Sequence, residues 1–332
     1  MGAGAWARPV LLLVLALPPG LVPQSPASAE GDPAEKPRTF LGLSVEVRAE
    51  GVADVGAGRS AAFGALARVE ATLSAARTSE LSRLNDHGRD CVSAELVQAL
   101  VLALDVSRAA SGAFDPTAEP LARASRHEGG RWHIPDAADR RRLLKRVGVH
   151  RVAVDPVSGC VQLAAGTRID LSGVVRGYAA DRALFALQER GARSAVVALG
   201  GTRLAILGEA SVDVPDPERS ARPAWASFAV EGGGVAITTG DDRLAPLLDA
   251  RNGLPVSGVL AVAVVARTAA EADVLSTAIF VLGTSRGLDL LERWGAEGLL
   301  LTREGGRPTV FTTPGFAKNH ALRPRTDVQV LE

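Results

Sequence analysis

The chain has 332 residues, 37 lysines and arginines against 37 aspartates and glutamates, and 47% hydrophobic residues. That length and apolar content suit one large core or two modest ones and exclude a chain disordered throughout. The balanced charge offers no general basic face, so nucleic-acid binding is excluded as a leading function.

Arg8 precedes an apolar run over 10–17, then Pro18-Pro19-Gly20, and Ala27-Ser28-Ala29 follows. This reads as a secretory signal peptide over 1–29, cleaved before Glu30. The apolar run is shorter than the roughly 20 residues a spanning helix needs, and the small residues suit a signal peptidase. An uncleaved anchor is the alternative. Residues 30–38 read as an exposed segment, 39–320 as one domain and 321–332 as a C-terminal tail. The expected location is periplasmic, or associated with the outer side of the inner membrane. Such a compartment would permit Cys91 and Cys160 to pair, but the sequence leaves a disulfide and two free thiols equally open.

Alternating Phe40, Leu41, Leu43, Val45 and Val47 predict an opening strand over 39–48. Helical spacing predicts helices over 58–76 and 93–111, with 79–85 between them as a cap and a helical turn. The Gly-rich stretch 128–134 reads as an exposed insertion, and 152–154 with 160–163 as a hairpin about the turn residues 155–159. A helix over 176–190 is stopped by Gly191. Strands are expected at 194–199, 202–207, 227–230, 235–239, 260–266, 298–302 and 309–312, with helices at 269–282 and 285–294. No internal repeat is visible. The fold class is α/β mixed (α+β), a single domain of largely antiparallel strands and packed helices.

Four clusters could carry chemistry. In 167–178 a strand ends at Asp170, passes small residues and enters a helix bearing Arg176, a corner suited to a pyrophosphate; a solvated arginine at an ordinary corner is the plainer reading. On the 269–282 helix, Asp273 and Thr277 lie four apart on one face and are hard ligands suited to magnesium. A favourable dipole position and a packing residue would explain them equally. The turn Gly112-Ala113-Phe114-Asp115-Pro116 and the stretches 237–243 and 249–256 have ordinary turn chemistry when taken alone.

Together and in this order, these clusters resemble the ApbE-type FAD:protein FMN transferase family. The resemblance runs from about Phe40 to the last strand and also takes in 79–85, Asp181, Leu199-Gly200-Gly201 and Gly253-Leu254-Pro255-Val256. It implies that Asp273 and Thr277 bind Mg2+ with the Gly173 carbonyl. It further implies that Asp170, Arg176 and the Ala113-Phe114-Asp115 backbone hold FAD, with Leu41 and Leu247 in the same cofactor-binding set. The implied reaction is Mg-dependent transfer of FMN from the substrate FAD to a threonine of an exported flavoprotein, such as a subunit of a membrane redox complex, with release of AMP.

Three departures stand against the family pattern. Leu41-Gly42-Leu43 occupies the place of a Met-Gly-Thr, Ala75 that of an aromatic residue, and Pro246 that of a histidine thought to deprotonate the acceptor threonine. General-base help is worth about 10²–10⁴-fold in rate. Asp241 and Asp249 are the candidate catalytic substitutes, with Asp242 beside them. The five histidines lie outside the motif stretches and read mostly as surface residues. A non-catalytic FAD-binding protein of the same fold, or an FAD pyrophosphatase, are the alternatives.

Overall fold

The computed structural model describes residues 39–128, 131–216, 223–240 and 246–331. The 1–29 leader, the 30–38 segment, Asp241 and Asp242 lie outside the described residues.

A long, almost wholly antiparallel sheet forms the middle of the molecule, in the order Thr39–Phe40, Leu43–Glu50, Ser194–Leu199, Arg203–Val214, Ala226–Thr239, Val259–Ala266, Glu297–Glu304, Arg307–Thr312 and Gln329–Leu331. Ser194–Leu199 turns back into Arg203–Val214 through Gly200 and Gly201, whose φ values of 59° and 66° suit residues without a Cβ. The two strands expected at 227–230 and 235–239 are one strand, Ala226–Thr239. Its Gly232-Gly233-Gly234 run produces a register shift between Glu231 and Gly233 instead of a break.

Four helices, Val55–Leu73, Ala94–Ala109, Val175–Gln188 and Ala269–Leu282, supply most of the core on one face of the sheet, with Leu66, Leu100, Leu187 and Ile279 fully buried or nearly so. Val55–Leu73 begins three residues before the apolar periodicity because Asp54 accepts the Ala57 N–H at 2.9 Å. The stretch 79–85 is the body of a helix, Glu80–His87, capped by Ser79 and ended by Gly88 in the left-handed region. Ala137–Leu144 is a helix that apolar spacing could not reveal, since none of its residues is buried. The expected insertion at 128–134 belongs to a small hairpin of Arg126–Glu128 and Arg131–His133.

The second apolar cluster, centred on Trp225, Phe228 and Phe316, lies apart from the helical core. His320, expected at the surface, is 9% exposed there, with its ring nitrogens 2.9 Å from the Ala229 carbonyl and 2.7 Å from Glu297 Oε2. The expected tail at 321–332 is part of the sheet: Arg323–Pro324 pairs with Ala226 and Ser227, and Gln329–Leu331 runs parallel to Arg307–Thr312.

Cys91 and Cys160 face each other across an antiparallel strand pair and form a disulfide that spans 69 residues of sequence. Closing a loop of that length removes roughly 4 kcal/mol of unfolded-state entropy on the chain-entropy model. The double variant C91S/C160S is expected to lose about 2–4 kcal/mol in urea unfolding, and dithiothreitol should destabilise the parent alone. A parent indifferent to reductant would contradict the bond.

Candidate functional site

The corner at 167–177 is held from two sides. The strand expected to end at Asp170 is not formed: 164–170 is loop after Cys160–Leu163, and Asn85 clips it in place of a strand partner, accepting the Ile169 N–H at 2.6 Å and donating to the Ile169 carbonyl at 2.8 Å. Asp170 donates its N–H to the Pro116 carbonyl at 2.7 Å, and its carboxylate accepts the Ser172 N–H at 2.7 Å, which turns the chain toward the helix. The helix at 80–87 therefore acts as a brace for this corner. Between them lies a cleft of about 1010 Å³, whose walls include Leu41, Ala75, Asn85, Asp170, Ser172 and Val175. Leu41 sits at φ 49°, strained for a residue with a side chain, and is 37% exposed.

The other candidates gather on the far side of the same corner. A Cβ on Gly173 would lie 3.0 Å from the Phe114 ring and 3.5 Å from Thr277 Oγ1, so these three residues meet. The Ala113 carbonyl accepts the Ala250 N–H at 3.1 Å, joining the 111–115 turn to the small ribbon of Leu248–Asp249 and Leu254–Pro255. Leu247 is half-buried and packs against the main core, its carbonyl taking the Val256 N–H at 2.9 Å. The Asp115 carboxylate is occupied by the N–H and hydroxyl of Thr117.

Asp273 is fully buried. Its Oδ1 accepts the Arg203 Nε–H at 2.8 Å and lies 3.7 Å from an Arg176 terminal nitrogen, while Oδ2 accepts the Gly177 N–H at 3.0 Å. Arg203 is 6% exposed and also donates to Thr202 Oγ1, the Ile237 carbonyl and Thr238 Oγ1. The Thr238 hydroxyl lies 2.8 Å from that of Ser276, and Thr277 Oγ1 donates to the Asp273 carbonyl at 3.2 Å. Sequence reading placed 202–207 in a strand and passed over Arg203. The available signal was a lone arginine leading the apolar run 204–207, which in a core demands a carboxylate partner.

Arg176 is differently placed. Its side chain is 28% exposed, yet its Nε is buried and has no hydrogen-bond partner. Burial lowers its pKa and the Asp273 charge raises it, but a guanidinium stays protonated throughout. An orphaned cationic donor at the start of Val175–Gln188 is what an anionic ligand would satisfy.

Gly173, Asp273 and Thr277 are thus brought together, but as placed they do not fit a divalent ion. The single carboxylate is already neutralised by Arg203, so it offers a divalent ion little net charge, and the ion would have to share it with a fixed guanidinium. Among the described residues no group of three or more His, Cys, Asp or Glu side chains converges to make a richer donor set.

Of the candidate bases, burial raises the Asp249 pKa, but the hydrogen bonds and charge of Arg251 outweigh that and hold it below the usual carboxylate range. Arg251 grips it at 2.6 Å and 2.9 Å. Pro246, half-buried, has no proton to exchange.

Asp181 fixes the start of the Ala269–Leu282 helix by accepting the N–H groups of Ala269 and Ala270, both at 2.8 Å. Burial nevertheless pushes its carboxyl up to about 6 from 3.8. With the folded value raised, its contribution to stability is complete below the unfolded pKa and is lost as pH rises through about 6. A shift of about two units corresponds to ~3 kcal/mol. The stability of the parent relative to Asp181→Asn is expected to fall by that order between about pH 3.5 and 6.5. A pH-independent difference in urea unfolding would refute the shift.

The sequence model of the ApbE family matches residues 41–300. The FAD:protein FMN transferase of Klebsiella pneumoniae (strain 342) is 27% identical over 235 residues, which cover 67% of this chain and 73% of that protein. That of Treponema pallidum (strain Nichols) is 28% identical over 283 residues, 75% of this chain and 78% of that one. Among solved structures, the flavin transferase ApbE from Vibrio cholerae shares the fold with a TM-score of 0.74 at 19% identity, over 85% of this chain and 97% of that chain. The apo flavinyl transferase ApbE of Pseudomonas stutzeri gives 0.70 at 22%, over 83% and 96%. With the match running through the brace, the corner, the Phe114 turn and the Asp273 helix, the chain belongs to the ApbE family.

Proposed function

We propose that this chain is a flavin transferase that moves FMN from FAD onto a threonine of an exported flavoprotein and releases AMP. The observation that carries the reading is the orphaned Nε of Arg176 beside the 170–177 corner, in a chain whose family match spans that corner. In the proposed step the threonine oxygen attacks the FMN phosphorus, a new P–O bond forms, the pyrophosphate bridge breaks toward AMP, and the threonine proton is lost to solvent or a base. Arg176 would bind the pyrophosphate oxygens, and its fixed charge would favour the extra negative charge developing on them. The step assigns no metal to Asp273, whose carboxylate Arg203 already neutralises.

Export is proposed from the leader-like residues 1–29, and a subunit of a membrane redox complex is the proposed acceptor class. No helix among the described residues is long and apolar enough to cross a membrane. A second reading, FAD binding without transfer, is favoured by Pro246 and by the capture of Asp249 by Arg251. The test is incubation with FAD and a threonine-containing acceptor domain, in magnesium and in EDTA, read by in-gel flavin fluorescence, acceptor mass and AMP. A covalent FMN adduct supports transfer. AMP without an adduct indicates hydrolysis, and tight FAD binding with neither product indicates a binding protein.

A further inference from the structure

We infer that Arg203 is a built-in cation, occupying against Asp273 the place where a divalent ion is expected, so that this chain grips a dinucleotide diphosphate without metal. The inference rests on the proposed FAD-binding reading for its ligand, but its core, the exclusion of a divalent ion by Arg203, stands on the geometry alone.

The guanidinium is locked. It is 6% exposed, and its Nε and both terminal nitrogens donate to Asp273, Thr202, Ile237 and Thr238. Swinging it aside to admit a metal would strip a buried carbonyl and a buried hydroxyl of their donor and expose a second positive charge to the incoming ion. The Gly177 N–H holds the other Asp273 oxygen, so neither carboxylate oxygen is idle.

Charge counting then separates the two arginines. Asp273 and Arg203 cancel, which leaves Arg176 with the charge of Asp170 nearby but no close ion pair of its own, an unpartnered Nε and a side chain 28% exposed. A metal-dependent site would present its positive charge as an exchangeable dication held by a carboxylate. Here the carboxylate is spent inside the protein, and the charge left for ligand is a fixed guanidinium. Arg203 is thus a positioning residue for the Asp273 helix and a specificity residue against divalent ions.

The experiment uses the full chain purified in EDTA. Mn2+ binding is followed by electron paramagnetic resonance, and FAD binding by flavin fluorescence in EDTA and in Mg2+. Expected are no stoichiometric Mn2+ uptake at about 1 mM and FAD Kd values within about threefold of each other in the two buffers. Arg203→Leu, which frees the carboxylate, is expected to acquire a Mn2+ site. One equivalent of Mn2+ on the parent, an FAD affinity weaker by about tenfold or more in EDTA, or a folded R203L chain that still ignores Mn2+ would each overturn the inference. If R203L does not fold, the two measurements on the parent decide. If the parent binds FAD in neither buffer, the transferase reading falls, and the Mn2+ result still decides the role of Arg203.

Discussion

Asp273→Ala is expected to cost about 3–5 kcal/mol of folding stability in metal-free buffer, because it leaves the Arg203 guanidinium charged, 6% exposed and without its counter-ion. It also frees the Gly177 N–H, a buried donor. A side chain whose only task was to ligate a metal would give a small or favourable change once the metal is gone. The double variant R203L/D273L removes both charges and is expected to recover most of the loss, since replacing a buried pair by apolar residues is often near neutral. Urea unfolding of the parent, the single variants and the double variant gives the coupling directly. A loss below about 1 kcal/mol for D273A would show that the pair does not hold the fold in this way.

Arg176→Ala should leave stability nearly unchanged and act on ligand instead. Its Nε has no partner within the protein, and its contact with Asp273 is long, at 3.7 Å. A charge-assisted hydrogen bond to phosphate contributes about 1.5–3 kcal/mol, so FAD affinity should fall roughly tenfold to a hundredfold. FMN lacks the pyrophosphate and should lose less. Parallel titrations of both flavins check this, and an equal loss for the two would remove Arg176 from the pyrophosphate grip.

The first of these predictions turns on Arg203, a residue that the sequence did not advertise. The Ala269–Leu282 helix was legible to the residue, because Thr268 caps it and the apolar stretch 278–282 ends at Gly283. The placement of Asp273 and Thr277 on it followed from helical geometry alone. What no periodicity could supply was the occupant of the space beside Asp273. Arg203 comes from a strand 70 residues away in sequence, and strand alternation says which face a side chain takes but not which charge it meets. The polar helix Ala137–Leu144 was missed for a related reason: its start is written in the Asp136 cap, not in any buried stripe. The paired strands of the last ten residues were likewise hidden, because each joins a strand distant in sequence, and neither a parallel edge partner nor a remote antiparallel one leaves a turn signal beside it. The corner at 167–177 was legible because its chemistry is local: an aspartate that turns the chain onto its own neighbour, followed by small residues.

One contact has mechanical meaning for the site. A methyl group on Gly177 would lie 2.0 Å from the Ala269 carbonyl, and one on Gly234 would lie 2.0 Å from the Ala269 nitrogen. Two helices and a central strand therefore touch backbone to backbone at one point, with Asp181 tying the same turn. Atoms this close cannot slide past one another without breaking those ties. The segment bearing Arg176 and the segment bearing Asp273 are therefore fixed to each other as one stiff unit, so a change that shifts either helix must shift both.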